Sequence, residues 1–160
     1  VYMKGEAYSA AGTFERQVSI VPSELKAYFL STRTLVPNQR QWLADTNGAV
    51  EKLTLIFSNA DDQKKAWRFF ESCGYFEVAS SIENNLELNQ KGVNKGTSLL
   101  KLAEHLRIPQ HQIMACGDSY NDIPMIRAAG IGVAVSNAAP SVLDAADIVA
   151  AGNDDDGVAK

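Results

Sequence analysis

The sequence predicts an α/β fold with two textures, and three observations carry that expectation. From Thr97 onward, helical spacings alternate with short apolar runs, which argues for a parallel, doubly wound sheet. Before Asn89 the strands read as hairpin-like and mix with helices, which argues for an α+β region. Within the second texture, "IMACGDSYNDIPM" runs apolar from Ile113, turns at Gly117 and enters a polar, carboxylate-bearing segment.

In chain order, Val1 to Tyr8 and Arg16 to Val21 read as strands, the first with some alternation. Pro22 to Ser31 and Asn38 to Ala44 read as helices capped by Ser23 and Asn38. Asn47-Gly48 signals a turn, followed by a strong strand carrying Leu53, Leu55 and Phe57. Asp61 caps a helix with Ala66, Trp67, Phe70 and Cys73, closed by Gly74. Strands at Tyr75 to Ser81 and Leu86 to Leu88 turn through Asn84-Asn85. Thr97 to Leu106 is a helix ended by Ile108-Pro109, and Ile113 to Cys116 a strand. Asn121 to Ala129 is a helix that tolerates Pro124 in its first turn and stops at Gly130. A strand at Ile131 to Val135, a helix at Pro140 to Ala146 and a strand at Asp147 to Ala150 complete the series. The change of texture places a domain boundary near Asn89 to Val93, so residues 1–90 and 91–160 are expected to form two domains.

Composition narrows the function classes. The 160 residues are 46% hydrophobic and 21% charged, as in globular proteins. A net charge of −4, with no basic run longer than Lys64-Lys65, argues against a nucleic-acid partner. No apolar stretch approaches a bilayer span, so no membrane partner is expected. Two cysteines, Cys73 and Cys116, are too few for a disulfide framework, and a reducing cytoplasm is the default compartment. Cys116, inside an apolar run, reads as a small core residue.

Ligands of open α/β sheets bind beyond the carboxyl ends of the strands, where Asp118 stands. The following helix start offers N–H groups and a positive dipole end suited to an anion such as phosphate. Asp118 and Asp122 admit two readings from the residues alone. Either Asp118 caps the helix while Asp122 profits from its dipole, or both converge on one small hard cation such as Mg²⁺. Lys95, at a helix start in "GVNKGTSLL", opposes the dipole; it is either a solvated loop lysine or the answer to a nearby negative charge. His105 and His111 have no zinc-like spacing, and no strand-elbow motif supports a Ser-His-Asp triad. Trp42, Trp67, Phe69 and Phe70 read as core or domain-face residues.

"KGVNKGTSLLKLAEHL", "GDSYNDIPMIRAAGIGVAVSNA" and "NDDDGVA" together resemble, in order and spacing, the Cof-type, cap-bearing phosphatases of the haloacid dehalogenase-like superfamily. The resemblance covers the second half of the chain; the first half is similar in pattern to the cap of such enzymes. It implies a fold comprising the later half of a doubly wound Rossmann-like core, preceded by an α+β cap that selects substrate. It also implies that Asp118 binds Mg²⁺, that Asp122 binds the ion or its water, and that Lys95 balances charge on the phosphoryl group and nucleophile. Asn121 then helps to position phosphate, and Asn137 in "VSNA" lies near the site. The implied reaction is hydrolysis of sugar phosphates or other small phosphorylated metabolites through an aspartyl-phosphate.

The family's nucleophile motif, D-x-D-x-[TV] after a first core strand, is not found in these residues. Asp154-Asp155-Asp156-Gly157 has part of its lettering but follows Gly152-Asn153 and matches the family's closing loop. Asp61-Asp62, at a helix start, fits no better. The expectation is therefore a chain that begins inside the cap, with the nucleophile upstream of Val1, inactive by itself. The rival is a non-catalytic binding or regulatory module derived from such an enzyme. A receiver-like phosphoacceptor domain shares the sheet type but needs an early acidic pair, which is not visible.

Overall fold

The computed structural model describes residues 1–46 and 50–159. The expected turn at Asn47-Gly48 lies outside the described residues. The chain is an α/β fold whose residues cluster into two units, Val1–Val78 with Ile82–Lys91, and Ala79–Ser81 with Gly92–Lys160.

The first unit is built on a six-stranded mixed sheet. Its strands are β1 (Tyr2–Met3), β2 (Glu6–Ala10), β3 (Arg33–Val36), β4 (Lys52–Ile56), β5 (Phe76–Ala79) and β6 (Asn85–Gln90), in the order β3-β2-β1-β4-β6-β5. What the sequence suggests as one strand over Val1 to Tyr8 is a hairpin, because Lys4 and Gly5 both take positive φ (52° and 77°). Arg16 to Val21 is not a strand. It belongs to helix α1 (Phe14–Ile20), where Gln17 donates to Thr13 Oγ1 at 2.9 Å one helical turn back. Val18 and Ile20 favour extended backbone only weakly, and this local register prevails.

Helix α2 (Ser23–Thr32) runs directly into β3, a strand with no turn residue before it and no expectation in the sequence. Ser23 does not cap α2: Pro22 holds the cap position, and the Ser23 hydroxyl donates to Glu24. Asn38 does cap α3 (Gln39–Asp45), accepting from Gln41 N–H at 3.1 Å. Helix α4 (Ala60–Cys73) is capped by Asn59 and not by Asp61, with Asn59 Oδ1 2.9 Å from Asp62 N. Gly74 closes α4 at φ 72°. Leu86 and Leu88 are fully buried, as is Asn85, whose side chain accepts from Ile82 N–H. Phe69 stands in solvent, while Trp42 packs against Tyr8 with ring centroids 4.5 Å apart.

The second unit carries a parallel sheet, β7 (Met114–Gly117), β8 (Ile131–Val135) and β9 (Ile148–Ala150), in that order. Helix α6 (Ile123–Ala128) connects β7 to β8, and α7 (Pro140–Leu143) connects β8 to β9, as parallel strands require. Ile126, Ala134, Val135, Ala138 and Val142 form the buried core, with Ile123 and Leu143 packed on it. Helix α5 (Lys95–Leu106) buries Gly96 and Ala103 and leaves Leu100, Leu102 and Leu106 exposed. Its fully buried positions are small residues, and Leu99 is half-buried. Arg107 closes α5 at φ 58°, one residue before the expected Ile108-Pro109 stop. The segment expected as helix from Asn121 begins instead as a 3₁₀ turn, Tyr120–Asp122, and becomes α-helical at Ile123.

Candidate active site

The sequence-predicted residues meet at the carboxyl end of β7. After Gly117 the chain folds back so that Asp122 Oδ2 accepts the backbone N–H groups of Asp118 and Ser119, each at 3.0 Å. Asp122 N–H closes the turn on Ser119 C=O at 2.8 Å. A side chain at Gly117 has no room, since its Cβ would lie 2.9 Å from Asp122 Cγ and 3.0 Å from Oδ2.

The other carboxylate oxygen of Asp122 pairs with Lys95 Nζ, which also donates to Asn121 Oδ1 at 3.3 Å. Lys95 is the first residue of α5, set by a capping box. Asn94 Oδ1 accepts from Thr97 N at 3.0 Å, and Thr97 Oγ1 accepts from Asn94 N at 3.1 Å. At Gly96 a Cβ would lie 2.6 Å from the Pro124 carbonyl carbon, so only glycine brings the start of α5 this close to α6. The cation that the helix dipole disfavours at this position is offset by the Asp122 carboxylate.

Asp122 is only 3% exposed, and burial is the largest influence on it, opposing ionisation. The Lys95 hydrogen bond, the Ser119 and Asp118 N–H groups and the Lys95 charge act the other way and outweigh it. Its pKa therefore lies below the ordinary aspartate value.

Asp118 is different. Its backbone is fixed at both ends, by N–H donation to Asp122 and by its C=O accepting from Ala139 N–H at 3.1 Å. Its carboxylate is exposed and has no protein partner among the described residues. Asn137 accepts from Asn153 N–H at 3.0 Å, tying the loop after β8 to the loop after β9. Asp154, Asp155 and Asp156 are exposed, in and just after a 3₁₀ turn. Cys116 is half-buried and unpaired.

Among the described residues no cluster of three His, Cys, Asp or Glu side chains is poised around a metal. The donor chemistry still suits Mg²⁺, which is commonly held by one or two carboxylates together with water and substrate phosphate. Asp118 offers free carboxylate oxygens on a fixed backbone, whereas those of Asp122 are engaged by Lys95 and the turn.

Sequence reasoning missed Asn94, Ser119 and Gly96 as determinants of this arrangement. Asn94-x-x-Thr97 is a legible capping signal. The backbone donors at Asp118 and Ser119 leave no mark in residue type.

A doubly wound parallel sheet with a carboxylate turn and a lysine beyond its strand ends defines an α/β ligand-binding core. The chain belongs to the haloacid dehalogenase-like hydrolase family, whose model matches residues 22–160, and is broadly Cof-like. It is 32% identical over 147 residues to phosphatase YwpJ of Bacillus subtilis (strain 168), covering 91% of this chain and 52% of that protein. It is 45% identical over 84 residues to 5-amino-6-(5-phospho-D-ribitylamino)uracil phosphatase YcsE of the same organism, covering 52% of this chain and 34% of that one. The solved structure of the HAD subclass IIB sugar phosphatase BT4131 superposes with a TM-score of 0.67 at 28% identity, over 86% of this chain and 52% of that chain. The chain thus spans about half the length of the relatives that match most of it.

Proposed function

We propose that this chain belongs to a Mg²⁺-dependent phosphomonoester hydrolase acting on small phosphorylated metabolites, sugar phosphates foremost. The observation that carries the reading is the contrast between two carboxylates four residues apart. Asp122 is locked by Lys95 and two backbone N–H groups, whereas the Asp118 carboxylate, in the same turn, is exposed and has no hydrogen-bond or ion-pair partner among the described residues. The phosphatase relatives YwpJ, YcsE and BT4131 supply the reaction class.

In this reading Asp118 holds Mg²⁺ directly, and Asp122 supports the ion or its water while fixing the turn. The bound ion offsets charge on the transferring phosphoryl group. Lys95 places its ammonium against the same phosphoryl oxygens, and Asn121 steadies both Lys95 and phosphate. An aspartate that residues 1–160 do not provide attacks phosphorus, and water hydrolyses the resulting aspartyl-phosphate. Residues 1–90 act as the α+β cap and residues 91–160 as the later part of the core. The division of the chain at Lys91 and Gly92 supports that assignment. By itself, the 160-residue chain turns over no substrate.

The test is phosphate release from a sugar-phosphate panel, with and without Mg²⁺, by the protein as its gene encodes it. Mg²⁺-dependent release that disappears in Asp118→Asn supports the reading. Absence of release from every phosphomonoester favours the non-catalytic module instead.

A further inference from the structure

The turn after β8 carries a side chain that the proposed reaction does not use. Ala138 N–H donates to Val135 C=O at 2.9 Å, so Val135 to Ala138 form a β-turn with Ser136 and Asn137 at its corners. Both corner residues are exposed. In the parallel register Gly117 lies opposite Ala134, which sets Asp118 level with Val135 at the end of the neighbouring strand. Ala139 N–H bonds Asp118 C=O at 3.1 Å and ties the turn to that strand end. Asn137 thus follows the strand next to that of Asp118, about 4.8 Å across the sheet, at the same carboxyl end.

An exposed amide ordinarily turns freely in water, but this one is pinned. Its Oδ1 accepts from Asn153 N–H at 3.0 Å. An N–H facing the amide fixes which end is oxygen, so the Nδ2 group points the other way. Asn153 sits in a closed loop, where Asp155 N–H and Gly157 N–H both donate to Gly152 C=O, at 3.0 and 3.1 Å. A Cβ at Gly157 would lie 2.5 Å from the Ala151 carbonyl carbon, so only glycine lets this loop close. Asn137 Nδ2 has no acceptor among the described residues. Two oriented donors on a neutral group suit an uncharged acceptor oxygen, whereas Lys95 supplies the charge that a phosphoryl group needs.

We propose that Asn137 is a specificity residue: its Nδ2 donates to a carbonyl or hydroxyl oxygen on the substrate carbon next to the ester carbon. This rests on the phosphatase reading above, with the phosphoryl group at Asp118 and Lys95, and adds the group that reads the organic part. The spacing between neighbouring strands, about 4.8 Å, is comparable with the step from phosphorus to such an oxygen. A substrate lacking that oxygen leaves the pinned amide without its ligand partner.

The test uses two non-hydrolysable phosphonates that differ by one carbonyl oxygen, 3-oxobutylphosphonate and butylphosphonate. Each is titrated, with Mg²⁺ present, into the protein as its gene encodes it, while backbone and side-chain amide resonances are followed. The Asn137 Nδ2 protons should shift saturably with the oxo compound and not with butylphosphonate. The oxo compound should bind about fivefold tighter, the worth of one hydrogen bond. Asn137→Asp keeps an oxygen for Asn153 N–H but has no donor, so Tm should hold while the preference vanishes. Its added charge acts on both phosphonates and cancels in their ratio. Equal affinities, an unshifted Asn137 side chain, or a preference that survives in Asn137→Asp overturns the proposal. If the Asp118 amide still shifts saturably in those cases, the phosphatase reading stands. Absence of saturable binding by either phosphonate overturns the proposal too, and phosphate release by the same protein then decides the phosphatase reading.

Discussion

The Lys95 ammonium at the start of α5 pairs with the Asp122 carboxylate at the end of the turn after β7. Half of the pair is buried: Asp122 is 3% exposed, whereas the Lys95 side chain is 47% exposed. Removing the lysine leaves a buried carboxylate with only its two N–H donors. Lys95→Ala should therefore destabilise the second unit by about 1–3 kcal/mol, less than the ~3–5 kcal/mol of a fully buried pair. Denaturant midpoints would measure this, and turnover of the complete enzyme should fall strongly. A change within experimental error in both would mean that the lysine is merely solvated.

The same pair sets a pH window. The folded Asp122 pKa is depressed below the ordinary value of 3.8, so its ionised form stabilises the fold. That contribution is fully present well above 3.8 and is lost as pH falls through the depressed folded value. Urea midpoints should thus be insensitive to Asp122 between roughly pH 6 and 8 and decline below about pH 4. Asp122→Asn should be less stable near neutrality and show a shallower acid decline. A variant that loses stability in parallel with the parent down to pH 2 would argue against the assignment.

Asp118 yields the opposite expectation. Its carboxylate is exposed and has no hydrogen-bond or ion-pair partner among the described residues, and its positioning comes from backbone bonds that an asparagine retains. Asp118→Asn should leave stability within about 0.5 kcal/mol while abolishing Mg²⁺-dependent turnover in the complete protein. Thermal unfolding and phosphate release separate the two effects. Near-normal turnover would remove Asp118 from the metal site.

Legibility in the sequence followed the range of the interactions. The strands of the parallel sheet were readable as short unbroken apolar runs, as in Ile131 to Val135, where Gly132 to Val135 are buried. Arg33 to Val36 was not, because it becomes a strand only by pairing with Ala7 to Ala10, remote in sequence. Arg16 to Val21 misled because β-branched residues at short spacing resemble a strand when the helical hydrogen bonds are unseen. At the site, side-chain chemistry was readable, with Lys95, Asn121 and Asp122 all visible as candidates that the fold then brings together. The backbone N–H groups that orient Asp122 were hidden, since every residue but proline carries one.

Gly96 shows how packing away from the polar atoms controls the pair. It is buried in the first turn of α5, and a Cβ there would press on the Pro124 backbone of α6, 2.6 Å from its carbonyl carbon. Backbone cannot swing aside as a side chain can, so α5 and α6 must separate. Gly96→Ala gains roughly 1 kcal/mol of helix propensity, which this strain opposes. The net effect should be a loss of about 1–3 kcal/mol. Because Lys95 precedes Gly96 and Asp122 immediately precedes α6, the same separation should loosen the ion pair. Loosening then shows as a smaller acid-induced loss of stability than in the parent. An alanine variant at least as stable as the parent, with an unchanged pH profile, would show that the close approach at Pro124 does not hold Lys95 in place.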